Sequence, residues 1–223
     1  MIVAVMVVER DAGLRTSPTL GTMRMKNAYK KPAKALIEAA ERLIATQGLG
    51  VPLREIGQAA GSANKVAVQY HFGDRQRLIE AVFEYRLPQL ETRRAILLAE
   101  TEARGCVQEP AALLEALLRP ISEVLDASGR RRFAGFLYQL TANARSARAA
   151  FDEIAPAAQN IVERLRQSLP GMTPATFNRR LGSASLVFLD TLVRFEDEEA
   201  PGGAGTEEAL ALARAVLTGP VIE

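Results

Sequence analysis

The sequence predicts an all-α protein, and three observations carry that reading. Apolar residues recur at helical spacing from Leu36 almost to the C-terminus. No strand-like alternation bounded by turn residues interrupts them. Residues 53–72, LREIGQAAGSANKVAVQYHF, hold two short helical patterns around a glycine, which sets a small helical head before a larger helical body.

Taken in chain order, residues 1–31 are expected to form a disordered basic arm. Gly13, Pro18 and Gly21 break any periodicity, and Arg10, Arg15, Arg24, Lys26, Lys30 and Lys31 supply the charge. Such an arm can follow a phosphate backbone or enter a minor groove. A plain solvated tail explains the same residues, as does a start assigned too far upstream, with Met6, Met23 and Met25 as alternatives; whether residues 1–22 belong to the native protein stays open. The opening MIVAVMVV falls far short of the roughly 20 apolar residues that span a bilayer. With no charged region before it and no cleavage site after it, a signal peptide is not expected, and the reading is a cytoplasmic protein without a membrane partner.

Leu53, Ile56 and Ala60 share one face of a first short helix, and Gly61 stands where a helix end requires positive φ. Ser62 and Asn64 are both N-cap types, so a second helix can begin within three residues, with Val68 and Phe72 facing inward. Lys65, Val66, Ala67, Gln69 and Tyr70 then remain outward. A helix laid into a major groove needs small or hydrogen-bonding side chains, an apolar group for a thymine methyl and a cation for phosphate, and this set offers all three.

Three segments together resemble the DNA-binding domain of the TetR/AcrR family of bacterial transcriptional regulators: LIEAAERLIATQGLG (36–50), LREIGQAAG (53–61) and VQYHFGDRQRLIEAVF (68–83). The resemblance spans about Lys34 to Arg86. It implies a homodimer with a three-helix DNA-binding head, here 32–78, and a helical domain for effector binding and dimerisation, here 79–223. In the resembled motif the residues matching Tyr70 and His71 reach the DNA backbone while Phe72 is core. Arg75 occupies a position where the family usually carries Lys near the start of the fourth helix, and Arg54 stands near the groove edge. DNA contacts are thus expected from Arg54, Ser62, Asn64, Lys65, Val66, Ala67, Gln69, Tyr70, His71 and Arg75. Two departures stand out. Val51 and Pro52 replace the usual hydroxyl cap of the second helix, and the turn before Tyr70 is one residue longer than the commonest spacing.

Charge supports the division into head and body. Residues 24–86 carry eleven Lys or Arg against six Asp or Glu, a balance of +5, whereas residues 87–223 carry fifteen against eighteen, a balance of −3. Beyond the head, helices are expected from Asp74 to about Arg86 and, after a break at Pro88, over 89–104. Others follow over 111–126, 130–145, 147–169 with a break at Pro156, 174–196 and 207–217. The helix over 174–196 carries two apolar stripes, one through Leu181, Phe188 and Leu192 and one through Leu186, Leu189 and Val193. With Leu210, Ala213 and Leu217 of the last helix, the second stripe is the expected dimer interface. A two-fold dimer sets its reading helices about 34 Å apart, so double-stranded DNA with an inverted-repeat operator is the expected partner.

An unidentified small effector is expected in a pocket lined by Phe133, Phe136, Leu137, Leu140, Phe151 and Phe188, with Gln139 and Asn143 as polar contacts. Its binding must favour one spacing of the two heads, since equal affinity for both shifts nothing; the resemblance makes release from DNA, hence repression, the usual outcome. Catalysis finds no support. His71 is the sole histidine and belongs to the head, which strains any Ser-His-Asp triad or His-based metal site, and no phosphate-binding glycine loop occurs. Cys106, the only cysteine, has no activating cluster around it. No catalytic residue, metal or cofactor is expected. A second reading, a dimeric ligand-binding or adaptor protein whose head no longer reads DNA, draws on the altered cap at Val51 and Pro52.

Overall fold

The computed structural model describes residues 31–64, 66–143, 155–197 and 204–220. These residues form α1 (Lys31–Gln47), α2 (Leu53–Ala59), α3 (Ala67–Phe72), α4 (Arg75–Ala103), α5 (Pro110–Ser122), α6 (Arg132–Asn143), α7 (Pro156–Gln167), α8 (Pro174–Asp197) and α9 (Ala204–Thr218), with no strand among them. The arm expected over 1–31 lies, apart from Lys31 at the start of α1, outside the described residues, as do Lys65 and Phe151.

Local chemistry sets most boundaries. Pro110 and Pro156 open α5 and α7, where a missing N–H and a fixed φ cost nothing. Asp74 caps α4 by accepting from the Arg77 backbone N–H at 2.8 Å, and Thr173 caps α8 by accepting from the Thr176 N–H at 3.2 Å.

The expected break at Pro88 does not occur: α4 runs through it for 29 residues. An interior proline costs about 3 kcal/mol. Against this, Leu78, Ile79, Val82, Phe83, Leu90, Leu97 and Leu98 are all buried along α4 on both sides of Pro88, each contributing roughly 1.5–3 kcal/mol. Tertiary packing therefore outweighs the local penalty. The same helix also crosses the expected head-to-body boundary at 78/79 without interruption.

Helix α1 packs on α2, α4 and α6; α3 packs on α2 and α4. In the body, α5 touches α4, α6, α7, α8 and α9, while α8 and α9 pair with each other. The α1/α6 crossing is close, since a Cβ on Gly135 would lie 3.0 Å from the Cβ of Ala45. In the same core Phe133 and Phe136 stack at 6.0 Å, and Phe83 meets both edge to face at 6.3 and 5.5 Å.

Two buried ion pairs join the helices. Arg86 on α4 donates to both carboxylate oxygens of Glu41 on α1, at 2.7 and 2.8 Å. Burial pushes the Glu41 carboxyl above its ordinary range, and the hydrogen bonds and charge of Arg86 pull against that. Deeper in the body, Arg94 is 3% exposed and donates to the Leu117 carbonyl at 3.1 Å and to Glu91 at 3.0 Å. The other oxygen of Glu91 accepts from the Ala157 N–H at 2.7 Å, satisfying a donor that α7 leaves open, since no side chain of its own caps it.

The α8/α9 pair revises the expected dimer face. Leu189, Leu210, Ala213 and Leu217 are buried within the single chain, leaving only Leu186 and Val193 of the expected set half-buried. Leu212, 41% exposed, lies outward instead, while half-buried Val216 packs at the edge of the core. With two apolar stripes on one helix, periodicity alone could not decide which one the chain's own α9 would cover.

Glu41→Ala should destabilise the fold by about 1–3 kcal/mol, because it removes both hydrogen bonds from the largely buried Arg86 guanidinium and leaves it with Tyr85 and Glu38 nearby. Glu41→Leu combined with Arg86→Met should cost much less. Urea denaturation of the two variants checks the ordering, and equal losses would show that the pair's charges are solvated.

Candidate nucleic-acid interface

The head's geometry follows from its turns. At the end of α2 the Gly61 N–H donates to the Gln58 carbonyl at 2.9 Å and the Ser62 N–H to the Gly57 carbonyl at 3.0 Å. This is a Schellman ending, with Gly61 at φ 72°. The chain then turns on side chains. Ser62 Oγ accepts from the Asn64 N–H at 3.2 Å, and Asn64 Oδ1 accepts from the Val66 N–H at 3.0 Å.

These bonds give Ser62 and Asn64 structural employment. Both were expected as cap types and as DNA contacts; neither caps α3, whose N-cap position is Val66 without a side-chain hydrogen bond. They instead shape the two-helix corner. Asn64 is exposed and Ser62 half-buried.

Helix α3 is six residues long and strongly two-sided. Val68 is buried against the head core, and Phe72 packs at its edge. Ala67, expected to face outward, is 5% exposed and belongs to the core beside Val68. On the opposite side stand Val66 at 55% and Tyr70 at 79% exposure, with Gln69 and His71 also exposed. The Tyr70 and His71 rings meet edge to face at 5.1 Å. A tyrosine this open contributes little to packing and leaves its hydroxyl ready to donate. Arg54, on α2, is exposed as well.

Arg75 departs from expectation. It is half-buried and already engaged: its Nη1 donates to the Leu49 carbonyl at 2.8 Å and its Nη2 to the Val51 carbonyl at 2.6 Å. The nearby Arg77 is likewise engaged, by Glu80.

The expected effector pocket is filled. Phe133, Phe136, Leu137, Leu140 and Phe188 are each at most 1% exposed and form core, and Gln139 lies half-buried near Gly48. Asn143 ends α6, with its side chain outside the described part. A groove of about 410 Å³ opens elsewhere, where the end of α4 meets α5 and α9. Leu114 and Leu210 form its floor, and Arg104, Glu109, Glu115, Glu207 and Arg214 its rim. Its lining on α9, Glu207, Leu210, Ala211 and Arg214, follows helical spacing, but the sequence does not show that this face meets α5 and the end of α4. Cys106 stands at the same place; a hydrogen bond with Glu109 pushes its thiol up from the ordinary value, away from a reactive thiolate.

Among the described residues no group of three His, Cys, Asp or Glu is arranged to hold a metal ion, and no helix is long and apolar enough to cross a membrane.

No family model matches the chain, and no curated protein does. Among solved structures, it is similar to a TetR family transcriptional regulator, PfmR, from Thermus thermophilus, at 19% identity and a TM-score of 0.45, over 84% of this chain and 99% of that one. It is also similar to a protein of a Rhodococcus species described as a transcriptional regulator, at 18% identity and a TM-score of 0.37, over 85% and 96% of the two chains. Overlaps this loose carry no argument about function.

Gly61→Ala isolates the backbone contribution to the corner, because an added Cβ meets no atom within 4 Å. The expected cost is about 1–2 kcal/mol from the left-handed φ alone, read as a lowered urea midpoint. An unchanged midpoint would mean that the corner relaxes at no cost.

Proposed function

We propose that the chain is a DNA-binding transcriptional regulator of the TetR/AcrR type, reading DNA through α2 and α3. One observation supports this above all: a short helix set on a Schellman turn, with its core side buried and Val66, Gln69, Tyr70 and His71 presented together to solvent. That division is what a major-groove reader needs, with an apolar group for base edges, an amide for hydrogen bonding and a hydroxyl for phosphate. The head's positive balance supplies the non-specific attraction.

On this reading the protein acts as a homodimer on an inverted repeat, with the outer face of α8 and α9 around Leu186, Val193 and Leu212 turned to its twin. It acts without catalysis, in the cytoplasm, as a repressor released by a small effector. The α4/α5/α9 groove is the place to seek that effector, because it contains the end of the same helix whose start carries Arg75. The adaptor reading draws on the uncapped start of α2 at Pro52; the open tyrosine weighs against it.

Fluorescence anisotropy against DNA tiled upstream of the protein's own gene, at several salt concentrations, tests the proposal. One fragment should bind tightly, with affinity falling steeply with salt. Tyr70→Ala should weaken binding by roughly tenfold, the worth of one or two lost hydrogen-bond contacts, without lowering the urea midpoint. Binding equal to that of random DNA, together with no effect of Tyr70→Ala, would favour the adaptor.

A further inference from the structure

We propose that Arg75 is a positioning residue of the DNA reader: its fork holds the entry to α2 in place for the reading helix and does not itself touch phosphate. The inference rests on the DNA-binding reading of α2 and α3.

Three features of the head lead to it. First, α2 starts without a side-chain cap, because Pro52 occupies the N-cap position and has no hydroxyl or carboxylate to offer. A seven-residue helix lacking its cap has little local reason to begin at a fixed point. Second, the segment leading into it is held from outside. Arg75 bonds the carbonyls of Leu49 and Val51, which lie on either side of Gly50, and Val51 is itself 3% exposed. Two carbonyls two residues apart are gripped by the two terminal nitrogens of one planar guanidinium, a geometry that a lysine cannot reproduce. Third, the clamp is anchored at its own end. Arg75 is the first residue of α4, and Asp74 fixes that helix start.

The consequence runs through packing. Helix α2 touches α1 and α3, and α3 touches α4. The Arg75 bonds close this circuit by tying the start of α4 back to the α1–α2 loop. Loosening them lets α2 shift, and α3 shifts with it through the turn at Gly61. A cap acts on other atoms: its oxygen accepts from the free N–H groups of the first turn of α2, whereas Arg75 donates to carbonyls, so a serine at Pro52 should pin the same helix start by a second route.

Arg75→Lys keeps the positive charge but cannot hold both carbonyls, which separates the clamp from a phosphate contact. Binding of the full chain to its operator fragment should weaken by roughly tenfold or more, with the slope of log affinity against log salt unchanged. A lost phosphate contact would lower that slope by about 0.9. Backbone amide exchange over 53–57 should quicken in free Arg75→Lys, a readout that needs no DNA. Adding Pro52→Ser should recover both the affinity and the slow exchange, and this double variant carries the test if Arg75→Lys alone does not fold. Affinity within twofold of wild type, a lowered salt slope in Arg75→Ala, unchanged exchange over 53–57, or no recovery with Pro52→Ser would each overturn the proposal. Failure of the wild-type chain to bind any DNA, with faster exchange in Arg75→Lys, would instead sink the DNA reading and leave the clamp as a purely structural device.

Discussion

The head and the body are joined by α4, and the buried bidentate pair between Glu41 and Arg86 fixes where α1 crosses it. Glu41 is buried, so sliding or rotating α1 along α4 would part its carboxylate from the guanidinium that offsets the cost of burying it. The close α1/α6 crossing at Gly135 and the packed rings of Phe83, Phe133 and Phe136 add a constraint of a different kind, because tightly packed surfaces tolerate little displacement. Everything that α2 and α3 present to solvent is referred to this joint.

Within the head, rigidity comes from backbone chemistry more than from bulk. Both reading elements are short, and neither is capped by its own side chain. The Schellman ending satisfies the last carbonyls of α2, Ser62 and Asn64 shape the corner, and Arg75 holds two carbonyls at the entry to α2. With the backbone satisfied in this way, the exposed side chains need make no structural bonds. That separation of roles lets Tyr70 remain 79% open on a helix whose other side is core.

The order of helices was largely readable from the sequence because amphipathic periodicity and terminal signals agree along most of the chain. Asp74, Gly61, Pro110 and Pro156 each mark a boundary by a mechanism that acts locally. Failures came where a distant contact decides the outcome. Pro88 reads as a stop, yet the apolar side chains on both sides of it are buried by other helices. Ala67, small enough to serve either face, packs in the core beside Val68. Arg75 reads as a surface cation until the carbonyls of Leu49 and Val51 are seen beside it. The expected pocket and dimer face drew on residues whose apolar character is equally that of core. Exposure, which separates Leu212 from Leu189, has no signature in a single sequence.

A two-fold dimer of this head would meet DNA with two copies of α3, and its site would carry that symmetry. Selection from a random-sequence duplex library with the full chain tests this most directly. The account predicts enrichment of one inverted repeat whose half-sites are centred about one helical turn apart, with Tyr70→Ala selecting the same repeat at lower affinity. A library that emerges without a preferred sequence, from protein shown to be folded, would contradict it.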